Sequence, residues 1–449
     1  MTQQEKPLPS LSLPRKPFVG EHAFEGDLLD RRQLAERLTS YMDRLREGAV
    51  LAIDAPWGEG KSWFGRNWAK HLDEQEHKVV FIDAFEQDYS EDPFLLIAAE
   101  ISEVLDSGEE GARPLRQKAA SVAKAILPMG TKVMLNLAGR LALGSADLSE
   151  EFRGAVEAAS AGGSDMAGQW VEKRLEEHAQ EKVSVQQFRD SLAEFSGRQD
   201  KPVVIFIDEL DRCRPTFAVQ LIERLKHFFD VPNLVFILLL NRDQLEKAVK
   251  GVYGADTDAS AYLSKFVNFF FLLPKQTSVE TQANDHVKQY VNHVFDRYSF
   301  SEGRQVGGFS EVFGMMASLL NLSLRDIERG VALYAFAQPV NVANHFLAYV
   351  IALKVSNPNL FNRLIKGDKV AHGEAQKIVD VMQQKFDGGR DRNWPLLNSI
   401  RALHEGHISG FTNGSEELKQ LNQGLWNYGL EVERLLPFLA ERIDLPMER

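Results

Sequence analysis

The stretch AVLAIDAPWGEGKSWFGRNW, residues 49–68, decides the fold. Ala49 to Asp54 is a short apolar run that ends on an acid, and a helical period starts near Trp63 and continues to Leu72. Between them lies Ala55-Pro56-Trp57-Gly58-Glu59-Gly60-Lys61-Ser62. A strand, a glycine loop and a helix in that order suit a chain that curls successive backbone N–H groups round a phosphate. Glycine stands where a side chain would block the approach, and the start of the helix adds its positive dipole end. The loop matches the Walker A form, Gly, four residues, Gly-Lys-Ser/Thr, with Ala55 in place of the first glycine. The residues expected to line a bound nucleotide run from Ala55 through Ser62 to Trp63. Lys61 is expected to reach the β- and γ-phosphates and Ser62 to ligate magnesium. Alanine at position 55 raises the question of whether that backbone needs angles reserved for glycine.

Four more apolar runs follow: Val79 to Ala84, Val203 to Asp208, Leu234 to Leu240 and Phe269 to Pro274. Runs rich in Val, Ile and Phe predict strands buried on both faces of a parallel sheet, with the intervening helical stretches as crossovers. Upstream, Asp27 to Glu47 predicts an amphipathic helix with Leu28, Leu34, Leu38, Tyr41 and Leu45 on one stripe.

The run at 203–208 closes on Asp208-Glu209, which is the Walker B form once a Walker A loop lies upstream. Asp208 is expected to hold hydrated magnesium together with Ser62, and Glu209 to polarise the attacking water. Capping of the next helix is the alternative role for both acids. Asn241, at the end of the fourth run, is the candidate phosphate sensor or water-orienting group, on the premise that the acidic strand lies beside the P-loop strand. It is also a natural N-cap for a helix over Asp243 to Val249.

Composition narrows the class. The chain has 449 residues, 52 Lys and Arg against 64 Asp and Glu, and a net charge of -12. That balance argues against a surface built mainly to grip nucleic acid. One cysteine, Cys213, excludes an internal disulfide framework and fits a reducing compartment. The first twenty residues have no long apolar run, and no window elsewhere suits a membrane span, so the expected location is the cytoplasm.

Between the second and third runs lies an interval of more than a hundred residues, with helices expected at Phe94–Leu105 and Val185–Phe195. Its middle, residues 115–146, carries Arg116, Lys118, Lys124, Lys132 and Arg140 and no acid. Three readings stay open for it: a helical pair packed on its own domain with a basic solvated face, a partner-docking hairpin, or a peripheral contact with anionic membrane or nucleic acid. After Pro274 the pattern is helical to the end, and the aromatic-rich stretch Asn344 to Tyr349 reads as core.

Two groups of arginines are candidates for stabilising transition-state charge. Arg325 follows Ser323, which has the look of an N-cap; Arg212 and Arg214 follow the acidic strand. Surface ion pairs, Arg325 with Glu328 or Asp326 with Arg329, are the alternative.

At this point the sequence resembles the KAP family of P-loop NTPases, among the ATPases that carry an additional catalytic acid. Pro56-Trp57-Gly58-Glu59-Gly60-Lys61-Ser62 is similar to the family's Trp-Gly-x-Gly-Lys-Ser loop, and Ile207-Asp208-Glu209-Leu210-Asp211-Arg212-Cys213 to its Ile-Asp-Asp-Leu-Asp-Arg-Cys. Asp83-Ala84-Phe85 with Asp92-Pro93-Phe94, Asn241-Arg242-Asp243 and Tyr262-Leu263-Ser264-Lys265 add weaker matches. The resemblance spans about 27–354 and implies an ATP-dependent switch, often bacterial and often linked to exclusion of phages or plasmids. Many members insert transmembrane helices where this chain has its basic stretch, so it resembles a member without them.

The expected fold is an α/β P-loop NTPase with a five-stranded, mainly parallel sheet, a helical insertion and an all-helical C-terminal lid. The expected segments are an extended lead at 1–26, a core at 27–274 holding the insertion at 106–184, and the helical part at 275–449. The expected ligands are ATP and Mg2+, and the expected partners are a second copy of the chain and an effector protein. A nucleotide-gated scaffold with little turnover is the alternative function.

Overall fold

Five strands form one sheet in the order β2-β3-β4-β1-β5, and every pairing is parallel. They are β1 (Ala49–Asp54), β2 (Val79–Asp83), β3 (Val203–Asp208), β4 (Leu234–Leu240) and β5 (Phe269–Leu272). The computed structural model describes residues 19–89, 92–106, 117–122, 166–275, 283–297, 307–337, 344–385, 394–411, 414–427 and 429–444.

The helices among these residues are α1 (Arg31–Met42), α2 (Lys61–Glu74), α3 (Pro93–Asp106), α4 (Met166–Gly197), α5 (Pro215–Leu225), α6 (Arg242–Tyr253) and α7 (Ala259–Leu263). They continue with α8 (Ala283–Arg297), α9 (Gly307–Leu319), α10 (Leu324–Phe336), α11 (Asn344–Ser356), α12 (Pro358–Ile365), α13 (Lys369–Lys385), α14 (Trp394–Ser409), α15 (Glu416–Trp426) and α16 (Leu435–Asp444).

The three middle strands read as unbroken apolar runs because both faces are covered. Successive side chains alternate between two cores. Val50, Ile205, Ile207, Phe236 and Leu238 enter one, together with residues of α3, α4, α5 and α6. Leu51, Ile53, Phe206, Ile237 and Leu239 enter the other, beneath α1 and α2. Each such side chain contributes about 1.5–3 kcal/mol by leaving water.

The fifth strand departs from the expectation of two-sided burial. Among the described residues it pairs only with β1, and Phe269 and Leu272 are 45% and 75% exposed. Tyr41 of α1 covers one face of it, with its ring 5.8 Å from Phe269 and 6.4 Å from Phe271. An apolar run therefore marks a strand here without marking a central one.

The first helix is shorter than its hydrophobic stripe suggested. Asp27 takes the N–H groups of Leu29 and Arg32 on its carboxylate, and Asp30 sits at φ 51, so helical backbone begins only at Arg31. In contrast, α4 extends well upstream of the expected Val185–Phe195. Most of the 106–184 insertion, including 115–116 and 123–146 of the basic stretch, lies outside the described residues. What is described of it packs at home: Ala119 and Val122 join Phe188 and Leu192 in one core, and Lys118 donates to Gln187 at 2.9 Å.

The chain divides into two units. One holds Lys16–Pro56 and Lys61–Pro274 and contains the sheet. The other includes Trp57–Gly60 and Lys275–Arg449. Its helical part is built round α11, where Phe346 to Leu353 are buried without a break, as expected of a helix enclosed on all sides. Helix starts in this unit are capped by side chains: Ser323 and Asp326 close a capping box on α10, and Asn357 caps α12 ahead of Pro358. No helix among the described residues is long and apolar enough to cross a membrane.

Candidate nucleotide site

The loop after β1 takes the backbone that its glycines allow. Gly58 and Gly60 sit at φ 86 and 77, in the left-handed region that suits glycine. Ala55 is not among the positive-φ residues; its methyl is buried under α1 and α2, and its N–H donates to Leu240 O at 3.2 Å. Alanine therefore fits where the motif has its first glycine.

Lys61 opens α2 and is buried. Its ammonium donates to Ala55 O at 2.7 Å and to Pro56 O at 3.2 Å, and it lies 4.0 Å from Asp211 Oδ2. Burial pulls its pKa down, and the charges of Asp211, then Asp208 and Asp54, pull the other way. Trp63, one turn into the helix, meets the Phe24 ring edge to face at 5.9 Å.

Asp208 is 1% exposed. Its Oδ1 accepts the Glu209 N–H at 2.9 Å. Its Oδ2 is buried with no hydrogen-bond partner among the described residues. Burial raises the Asp208 pKa, and the nearby Ser62 side chain acts to lower it. A buried, unpartnered carboxylate oxygen beside a serine hydroxyl is the donor set that a divalent cation satisfies, so the residues fit magnesium.

Glu209 stands at φ 59, which turns the chain into the 3-10 turn Leu210–Arg212. Its carboxylate accepts from Arg212 at 2.7 Å. Burial raises its pKa, and the Arg212 charge opposes that shift. Arg212 is thus turned back on the acidic turn. Arg214 is likewise engaged: its backbone N–H and Nε donate to the Asp88 carboxylate at 2.7 and 2.6 Å.

The sheet order corrects one premise. The acidic strand β3 is not beside β1, because β4 lies between them. Asp54 registers with Leu240 and Asp208 with Leu239, so Asn241 emerges between the loop and the acidic turn. Asn241 acts as an N-cap here, with its side-chain oxygen accepting from Gln244 N at 3.3 Å. Two further carboxylates, given no role in the sequence reading, meet at this tip. Asp211 accepts the Asn241 N–H at 3.1 Å and Asp54 accepts the Arg242 N–H at 2.9 Å. Their signal was available: each is an acid at or just past a strand that ends at the site.

Within the unit that includes Trp57–Gly60, the loop tip is held from Lys275 and from the start of α10. Gly58 O accepts the Arg325 N–H at 3.1 Å, and Glu59 pairs with Lys275 at 3.2 Å. The Arg325 side chain is exposed. Of the expected surface pairs, Asp326 and Arg329 meet at 3.6 Å, while Glu328 takes Arg297 at 2.9 Å in place of Arg325. A Cβ on Gly58 would stand 2.6 Å from Ser323 Oγ and 3.0 Å from Arg325 Cβ. Gly58→Ala is therefore expected to weaken nucleotide binding by at least about tenfold, through combined strain and collision. Titration calorimetry with MgATP checks this, and an unchanged Kd would show that the loop relaxes freely.

Solved structures similar to the chain include the ORC2 protein of Aeropyrum pernix in its ADPNP–ADP complexes. That match is at 10% identity and TM-score 0.36, covering 95% of this chain and 98% of that one. The ADP form of the same protein matches at 9% and 0.34, covering 95% and 96%. A DNA replication initiation factor matches at 9% and 0.33, covering 92% of each chain. Scores this low leave the functional argument to the residues themselves. No curated protein matches the sequence. The KAP family P-loop domain matches residues 31–365, which takes in the loop, the acidic turn and all five strands. With a phosphate loop, an acid-tipped strand and a strand between them, the chain belongs to the KAP family of P-loop NTPases.

Proposed function

We propose that the chain is a magnesium-dependent ATPase that works as a nucleotide-driven conformational or assembly switch. The observation that carries this reading is Asp208: a buried carboxylate with one unpartnered oxygen, near the serine that follows the loop lysine. Ser62 and Asp208 would hold magnesium, which would supply positive charge to offset that of the phosphates. The chain's own groups do the rest. Loop N–H groups and Lys61 hold the phosphates, Ser62 and Asp208 hold the cation, and Glu209 orients and deprotonates the attacking water. Asn241, at the tip between loop and acidic turn, is the candidate reader of the terminal phosphate, and Arg325 is a candidate for the lid's response. Assembly favoured by ATP and recruitment of an effector protein belong to the same proposal. The link to exclusion of phages or plasmids rests on family membership alone.

The test is magnesium-dependent phosphate release by the purified protein, with its size read by light scattering without nucleotide, with ATP and with ADP. Turnover with an ATP-dependent change in size supports the switch. Tight ATP binding without turnover supports the second reading, a nucleotide-gated scaffold.

One observation favours that second reading: the Glu209 carboxylate is paired with Arg212 at 2.7 Å. Ala55 does not favour it, since its backbone there is ordinary. The Glu209–Arg212 pair makes Arg212 a clamp on the acid rather than a group aimed at phosphate. Arg212→Ala is expected to leave the KM for ATP within about twofold and to change kcat by less than about tenfold. A residue that stabilises transition-state charge would instead cost about 10³-fold in kcat.

A further inference from the structure

Lys61 is engaged by groups of its own chain. Its ammonium donates to Ala55 O at 2.7 Å and to Pro56 O at 3.2 Å, and the Asp211 carboxylate stands 4.0 Å away as its ion-pair partner. The Lys61 and Asp211 side chains are 9% and 2% exposed, so water does little to screen either charge. Asp211 is itself fixed, because the same Oδ2 accepts the Asn241 N–H at 3.1 Å. One carboxylate oxygen therefore holds the tip of β4 and faces the loop lysine.

We propose that Asp211 is a positioning residue that stands in for phosphate, holding the Lys61 ammonium in the nucleotide-free chain and giving it up when a nucleotide binds. This rests on the reading of 55–62 as a phosphate-binding loop and adds to it. A buried cation without a counter-charge is costly, and Asp211 supplies one while the loop is empty. A phosphate entering the loop brings its own negative charge to Lys61. It must then displace Asp211 as the partner and tolerate it as a like charge nearby. Both effects make Asp211 oppose binding in the ground state. Movement of Lys61 away from Asp211 also releases one constraint on the oxygen that seats Asn241, which links occupancy of the loop to the β4 tip.

The sign of this prediction separates it from a structural role. Asp211→Asn keeps a carbonyl oxygen for the Asn241 N–H and removes the charge. It is expected to tighten MgATP and MgADP binding by about tenfold or more, and to lower the melting temperature of the nucleotide-free protein by more than that of the nucleotide-bound protein. Asp211→Glu, which keeps the charge, is expected to stay within about threefold of wild type. Asp54→Asn is the control, because Asp54 seats the neighbouring Arg242 N–H; its charge ranks behind those of Asp211 and Asp208 at Lys61. Its effect on affinity is expected to be smaller.

Titration calorimetry with MgATP and MgADP reads all four proteins without depending on hydrolysis. Binding by Asp211→Asn that is equal to or weaker than wild type overturns the proposal, while the phosphate-loop reading stands. No binding by wild type or any variant overturns the loop reading and this proposal together. If Asp211→Asn does not fold, Asp211→Ser is titrated under the same criterion, with tighter binding expected.

Discussion

Glu209→Gln is expected to cut ATP turnover by about 10²–10⁴-fold while the protein still binds ATP. The exchange keeps the size and position of the side chain and removes its basicity. Asp208, Ser62 and Lys61 remain to hold cation and phosphates, so the variant collects in the ATP-bound form. Lys61→Ala is expected to behave oppositely and to lose binding as well as turnover, because the loop then has no cation for the β- and γ-phosphates. The pair is checked by phosphate release and by ATP retained through gel filtration, with light scattering on the Glu209→Gln protein. Trapped ATP together with a shifted mass would support the switch and its assembly. Wild-type turnover by Glu209→Gln would remove Glu209 from catalysis and leave it as a residue that turns the chain after β3, which its φ of 59 already does.

Acid is expected to unfold the helical unit well before simple titration of surface carboxylates would. His372 and His404 are both 0% exposed, and their Nδ1 atoms are 2.8 Å apart. At that distance the two nitrogens share one proton, so the two rings cannot both be cationic. Tyr349 Oη takes the far nitrogen of His404 at 2.8 Å, and the His407 ring stacks on His372 at 4.0 Å. Burial, reinforced by the neighbouring imidazoles, pushes the pKa of His372 down to about 4 and that of His404 to about 3. The unfolded chain protonates both near pH 6.5. Below that value the unfolded state binds protons that the folded state refuses, so stability is full above pH 6.5 and falls as pH drops toward 4. The slope is about 1.4 kcal/mol per pH unit for each histidine, before relaxation. Urea midpoints at pH 7, 5.5 and 4.5 read the effect. His404→Gln, which can still bond Tyr349, is expected to flatten the pH dependence by about half. A wild-type midpoint independent of pH across that range would show that the pair takes up protons without opening.

Some of this was legible along the chain and some was not. Strand, glycine loop and helix at 49–68 are neighbours in sequence, and local backbone chemistry decides what they form. Their reading needed no partner from elsewhere. The Asp208-Glu209 ending was legible for the same reason. Edge position was not: the runs at β4 and β5 are both apolar, yet one is buried throughout and the other has Leu272 75% exposed. Which strand has two neighbours is settled by crossovers between distant segments, and an apolar run carries no record of that. The start of α1 was misjudged because hydrophobic spacing reports which face is buried, while Asp27 and Asp30 decide where the helix can begin.

Sequence alone shows a Walker A pattern with Lys61 and Ser62 between a strand and a helix, and Asp208 and Glu209 at the end of a later apolar strand. These are local patterns in which residue type and spacing carry the chemistry. The tertiary structure alone decided that β4 separates β1 from β3, that Arg212 clamps Glu209, that Asp211 faces Lys61, and that His372 and His404 share a proton. The pairs Lys61–Asp211 and His372–His404 are separated by 150 and 32 positions, and even Arg212 reaches Glu209 only because the chain turns there at positive φ. Charge and burial act through space, and only the packed chain sets those distances.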